Sequence, residues 1–100
     1  MRVDLKLAAF AFAHGFTLST DRSASRGETL TPADFNADGV PCDGLQFERA
    51  GVFVWLTSRG WRVAQLQGER FPRPEMSDFH GALLPALRKA IEIGGELSAP

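Results

Sequence analysis

The sequence predicts an α+β fold in which an antiparallel meander of three to four strands packs with an N-terminal and a C-terminal helix. Two observations support this fold class. Apolar residues recur at helical spacing near both ends of the chain, and residues 45–66 hold three short runs rich in β-branched and aromatic residues, separated by glycine-containing turns. One hundred residues is close to the commonest domain size, so we expect a single α+β domain spanning residues 1–100.

The first helix is predicted between a cap at Asp4 and a left-handed stop at Gly15. Its expected apolar face consists of Leu5, Ala8, Ala9 and Phe12. Val3, Leu5 and Leu7 also alternate as they would in a strand that starts at Met1, so a strand is the alternative at this end.

A short strand over residues 16–19 is expected next, followed by a long irregular loop over about residues 20–44. The loop is rich in Ser, Gly, Asp, Asn and Pro and has no sustained periodicity. Loops of this length in compact domains are usually functional or mobile.

The three strands of the meander are predicted over residues 45–49 and 52–66, with turns at residues 50–51 and 58–60. A three-residue second turn that ends in Gly60 would place Thr57 opposite Trp61 and Trp55 opposite Val63. In that register one face holds Val52, Val54, Leu56, Arg62, Ala64 and Leu66, and the other holds Phe53, Trp55, Thr57, Trp61, Val63 and Gln65.

Both faces of this hairpin are apolar, so we expect each face to pack against another part of the protein or against a partner. Two helices on the same face, the usual arrangement for this fold class, would leave Phe53, Trp55 and Trp61 exposed. An exposed patch of this kind is typical of an interface with a partner or with a second copy.

The C-terminal helix is predicted from Ser77 to Ile93, ending before Gly94-Gly95. Its expected buried stripe is Phe79, Leu83, Leu87, Ala90 and Ile91. Pro85 lies inside this span, and because proline lacks a backbone donor it predicts a kink or a fresh helix start.

The formal net charge of −1 argues against a nucleic-acid binder that neutralises phosphates, so direct nucleic-acid binding is not expected. The charge is nevertheless segregated along the chain. Residues 21–48 carry six acidic side chains and two arginines, whereas residues 49–73 carry five arginines and one glutamate. The two segments face each other, lie on opposite solvent-exposed sides, or form part of a partner site.

Arginine and tryptophan together are the residues that most often anchor protein interfaces. We therefore expect a small non-enzymatic protein-binding module that engages an acidic surface of a larger complex, or forms a homodimer. The expected partner-binding residues are Phe53, Trp55, Arg59, Trp61, Arg62, Arg70 and Arg73. Chains of this size without a recognisable active site are often inhibitors, adaptors or assembly components, including those encoded by phages and other mobile elements.

An alternative function is suggested by the acidic run over residues 34–43, where oxygen-bearing side chains alternate before a glycine. This run resembles the calcium loop of the excalibur family over ten residues. The resemblance implies calcium ligands at Asp34, Asn36 and Asp38, with Asp43 in the place of the closing acid. Leu45 stands where an EF-hand needs a bidentate glutamate, so binding would be weak. The same residues also fit a pair of Asx-Gly turns that lead into the first meander strand.

Catalysis is not expected, and no cofactor other than the possible calcium is predicted. Cys42, His14 and His80 are the best candidates for a nucleophile or base, and none lies in a recognisable motif. A single cysteine excludes an intramolecular disulfide and favours a cytoplasmic setting. No apolar stretch approaches the length needed to span a bilayer.

Overall fold

The computed structural model describes residues 2–3, 5–35, 40–41, 44–66, 68, 70–71 and 78–95. It confirms the α+β class, with an antiparallel sheet and a helix near each end of the chain. The helices are α1 (Leu5–Ala13), α2 (Asp21–Ser25) and α3 (Leu83–Gly94), and a 3-10 turn covers Pro32–Asp34. The strands are β1 (Arg2–Val3), β2 (Thr17–Ser19), β3 (Val40–Pro41), β4 (Gln46–Arg49), β5 (Val52–Thr57), β6 (Gly60–Gln65) and β7 (Asp78–His80).

Five of the strands found in the described residues form the main sheet, in the order β2-β4-β5-β6-β7, and every neighbouring pair is antiparallel. The sequence predicted three to four, and the additional strand is β7. Strands β1 and β3 form a separate antiparallel pair. The N-terminal end therefore contains both a two-residue strand and the predicted helix.

Strand β7 replaces the predicted first turn of the C-terminal helix. Residues 78–80 pair with Trp61, Arg62 and Val63 of β6, so sheet hydrogen bonding prevails there over helical periodicity. The helix starts instead at Leu83, which agrees with the fresh start that Pro85 suggested. Pro85 is the third residue of α3, where the backbone N–H has no intrahelical acceptor, so the proline does not interrupt the helix.

Helix α1 ends as predicted, at a left-handed Gly15 with φ of 84°. The N–H of Gly15 donates to the Phe12 carbonyl and that of Phe16 to the Ala11 carbonyl, which is the Schellman arrangement. The predicted apolar face was wrong in part. Ala8 and Ala11 are the fully buried residues, whereas Leu5 is 48% exposed. The helix is apolar nearly all round, so its periodicity does not identify the packed side.

The long loop contains a helix that its composition did not reveal. Helix α2 begins after Thr20, whose Oγ1 accepts from the N–H of Ser23, while the N–H of Thr20 donates to Ser23 Oγ. This reciprocal pair is a capping box with serine in place of the usual glutamate. The helix lies beside β2.

The register of the β5–β6 hairpin differs from the prediction by one residue. Its turn has two residues, Ser58 and Arg59, so Leu56 lies opposite Trp61 and Trp55 lies opposite Arg62. A shift of one residue moves every β6 side chain to the other face of the sheet.

The two faces of the sheet are therefore distinct. The face called here the core face packs against α1 and α3, whose buried residues belong to the same hydrophobic cluster. Its fully buried strand residues are Leu18, Phe47, Val52, Val54, Trp61 and Val63. No helix in the described part of the chain packs on the opposite face, called here the open face.

Candidate functional site

The open face carries a row of aromatic residues on neighbouring strands. Phe53 and Trp55 project from β5, and the register puts Arg62 of β6 and Phe79 of β7 in the same row as Trp55. All four are only partly buried. The sequence predicted that Phe53 and Trp55 would lie on an exposed face, and the structure places them there.

Phe71, from the segment that follows β6, covers part of this row. Its ring lies 5.2 Å from the Phe53 ring in an edge-on arrangement and 5.2 Å from the Trp55 ring at 53°. These separations fall within the range in which aromatic pairs attract each other. Phe71 is nevertheless 42% exposed, so the cluster still presents apolar surface to solvent.

The three rings border an open groove of about 220 Å³, called here the aromatic groove. Its lining residues are Gln46, Phe53, Trp55, Leu66 and Phe71. Sequence reasoning missed Phe71, Leu66 and Gln46. The signal for Phe71 was a large aromatic residue in a polar, proline-containing stretch without periodicity, where nothing local calls for an apolar side chain.

Two arginines flank the groove on the β6 and β7 side. The guanidinium carbon of Arg62 lies 4.9 Å from the Trp55 ring centroid, and that of Arg59 lies 4.4 Å from the Phe79 ring centroid. Both distances fall within the range of cation–π contacts. Arg59 is exposed and forms no ion pair with any residue that the structure describes.

One acidic residue, Glu48, lies on the same face at the opposite side of the groove. The register places it beside Phe53 and Thr17, on the β2 side of the sheet. Of the remaining predicted arginines, Arg70 is exposed next to Phe71, and Arg73 lies outside the described residues. The open face is therefore positive toward β6 and β7 and negative toward β2.

Trp61 does not belong to this surface, so the predicted register, which put it on the same face as Trp55, was wrong. It is 1% exposed and lies on the core face, with its ring 6.1 Å from that of Phe47. The two-residue turn causes the difference, because it advances β6 by one position relative to the three-residue turn that Gly60 suggested. Gly60 has another role: a Cβ there would lie 2.7 Å from the His80 carbonyl oxygen.

Arg49, one of the five arginines in the basic segment, is also removed from the surface. It is 3% exposed. Its Nε donates to the His14 carbonyl at 2.8 Å, and its Nη1 donates to the Gly95 carbonyl. Arg49 therefore links the C-terminal ends of α1 and α3, where helix dipoles favour a cation.

The predicted calcium ligands fall mainly outside the described residues. Asn36, Asp38 and Asp43 lie there, so nothing in the structure bears on their arrangement. Asp34 ends the 3-10 turn, and its Oδ2 accepts from the N–H of Thr31 at 2.7 Å. Among the described residues no three metal-binding side chains come together. Calcium binding by this loop stays a prediction.

Of the three residues considered for catalysis, the structure describes His14 and His80. Cys42 is outside the described residues, and the ring of His14 packs on Phe10 at 4.3 Å. His80 has a buried Nε2 without a hydrogen-bond partner in the described part of the chain. The residues that the structure describes contain no helix that is long and apolar enough to cross a bilayer.

Comparison with known proteins finds no matching family model, no similar curated protein and no similar solved structure. The functional assignment therefore depends on the geometry of the open face.

Proposed function

We propose that this chain is a protein-binding module and that the aromatic groove with its flanking arginines is the surface that receives the partner. Phe53, Trp55 and Phe71 supply the apolar centre, and Arg59, Arg62 and Arg70 supply directional hydrogen bonds at its rim. Interfaces of this composition concentrate their binding energy in a few aromatic and arginine residues.

The difference in packing between the two faces of the sheet supports the proposal. One face is closed by two helices and holds the core, including Trp61. The other keeps two half-exposed aromatic residues in mid-sheet and adds Phe71, an exposed one, from a connecting segment. A clustered apolar patch rimmed by charge is typical of an interaction site, whereas scattered exposed apolar residues need no explanation.

The charges define the kind of partner. Three arginines near the groove favour an acidic surface, and their cation–π contacts hold two of them in place before binding.

We include in the proposal a non-enzymatic, cytoplasmic role as an inhibitor or accessory component of a larger assembly encoded by a phage or mobile element. The single cysteine and the sequence without a recognisable active site support that part.

The experiment uses the two large apolar residues that the structure describes as exposed, Phe71 and Leu5. Affinity capture from the source cells is run with wild type, Phe71→Ala and Leu5→Ala, after light scattering and circular dichroism have shown that all three are folded and of known mass. We expect wild type and Leu5→Ala to retain the same partner and Phe71→Ala to lose it, because only Phe71 lies on the open face.

Equal retention by Phe71→Ala would contradict the proposal. A wild-type dimer that Phe71→Ala converts to a monomer would instead mean that the open face closes on a second copy, which is the homodimer form of the same proposal.

A further inference from the structure

The size of the aromatic groove limits what can enter it, provided that the proposed binding function holds. A cavity of about 150 Å³ in a protein core accommodates a benzene ring. The groove offers about 220 Å³ between Phe53, Trp55 and Phe71. It therefore has room for one aromatic side chain.

The walls favour a ring over an aliphatic chain. The Phe71 ring meets Phe53 at 87° and Trp55 at 53°, so ring edges as well as faces border the groove. A fourth ring can add edge-to-face contacts whose attraction comes in addition to that of its buried area. Gln46 is the polar residue among the described lining residues and is exposed, so its amide can bond the main chain of a peptide.

The position of Arg62 determines how far a negative charge of the ligand lies from the aromatic ring that the ligand inserts into the groove. Arg62 is on β6, the strand next to Trp55, and Phe79 with Arg59 above it is one strand further on. Neighbouring strands are about 4.8 Å apart, so a carboxylate bound here lies about 5–10 Å from the ring. An extended peptide covers that distance in about one to three residues.

Glu48 restricts the orientation in which an acidic ligand can bind. It lies beside Phe53 on the β2 side, opposite the arginines, so a carboxylate on that side would be repelled. We infer that the aromatic groove binds a short acidic peptide segment by inserting one phenylalanine or tryptophan, with an aspartate or glutamate one to three residues away bound by Arg62 and Arg59.

The test uses four fluorescein-labelled nine-residue peptides and fluorescence anisotropy. The parent has a central phenylalanine with aspartate and glutamate at the two positions on each side. The other three replace the phenylalanine by alanine, the four acids by their amides, or the four acids by lysine. The protein forms are wild type, Phe53→Ala, Arg62→Gln and the distant control Leu5→Ala, each first shown to be folded by circular dichroism.

We expect the parent peptide to bind wild type and Leu5→Ala equally, and each of the other three peptides to bind at least ten-fold more weakly. The effects of the protein substitutions and of the peptide substitutions on binding should also be coupled. Phe53→Ala should remove most of the difference between phenylalanine and alanine peptides, and Arg62→Gln most of the difference between acidic and amide peptides.

Three results would overturn the inference: no binding of the parent peptide at millimolar protein, equal binding of the alanine peptide, or stronger binding of the lysine peptide. Tighter binding of a labelled twelve-residue oligothymidylate than of the parent would overturn it as well, since the face would then be a stacking platform for nucleic acid. If the peptides fail while the capture experiment still loses its partner on Phe71→Ala, the binding function stands and only the peptide mode is wrong. If both fail, the proposed function fails with it.

Discussion

The two tryptophans show how much one sheet position changes the role of a residue. Trp55 and Trp61 lie on adjacent strands of one hairpin, yet Trp61 is 1% exposed in the core and Trp55 borders the aromatic groove. Their side chains bury very different areas, so their contributions to the free energy of unfolding must differ.

We predict that Trp61→Ala lowers the free energy of unfolding by about 3–5 kcal/mol, the usual cost of emptying a large aromatic position in a core. Trp55→Ala should cost about 1 kcal/mol, as most substitutions at partly exposed positions do. Urea unfolding followed by circular dichroism measures both. Equal losses in the two variants would mean that the tryptophans share one face, as the three-residue turn implied.

At the scale of elements, α3 begins without a side-chain cap. Ala82 precedes Leu83 with φ of −130° and ψ of 152°, the backbone conformation of a capping residue, but its methyl side chain cannot accept a hydrogen bond. Pro85 has no N–H, so within the first turn the N–H of Leu84 is the donor that a cap can still serve.

Ala82→Ser should therefore raise the free energy of unfolding by about 0.5–1 kcal/mol, at the low end of the range for caps. In a domain of this length that corresponds to an increase of about 2–8 °C in Tm. The matched control is Ala9→Ser, at an exposed position inside α1, which should lower Tm because serine is a poorer helix former than alanine. Thermal melts of both variants test this prediction. A lower or unchanged Tm for Ala82→Ser would contradict the capping assignment.

At the scale of the whole molecule, Arg49 joins parts of the chain that are distant in sequence. It is on β4, and it donates hydrogen bonds to carbonyl oxygens at the ends of α1 and α3. A buried arginine in this position gives no surface charge, so it contributes to stability and not to the proposed interface.

We predict that Arg49→Met lowers the free energy of unfolding by about 2 kcal/mol or more, because two carbonyl oxygens lose a charged donor. Arg26→Met is the control, since Arg26 forms an exposed ion pair with Glu28 and exposed pairs contribute about 0–1 kcal/mol. Chemical unfolding provides the comparison. A loss in Arg49→Met no larger than that in Arg26→Met would show that the link between the two helices is unimportant.

The sequence alone determined the α+β class, the two terminal helices, the central strands, and the turns at Gly15 and at Ala50-Gly51. These features depend on residues within a few positions of one another, through apolar periodicity and positive φ. Ala50, with φ of 54°, and Gly51 form the predicted two-residue turn.

The tertiary structure alone decided the register of β5 and β6, and with it the burial of Trp61, the pairing of β7, the burial of Arg49 and the packing of Phe71 on Phe53 and Trp55. Most of these results come from contacts between residues far apart in the chain. The register is set at the two-residue turn itself, next to a glycine that packs on a distant strand. Gly60 is the clearest case: in sequence it reads as a turn residue, but the His80 carbonyl twenty positions later occupies the space of its missing side chain. Local pattern therefore gives the elements, and long-range packing decides which of their faces is left uncovered.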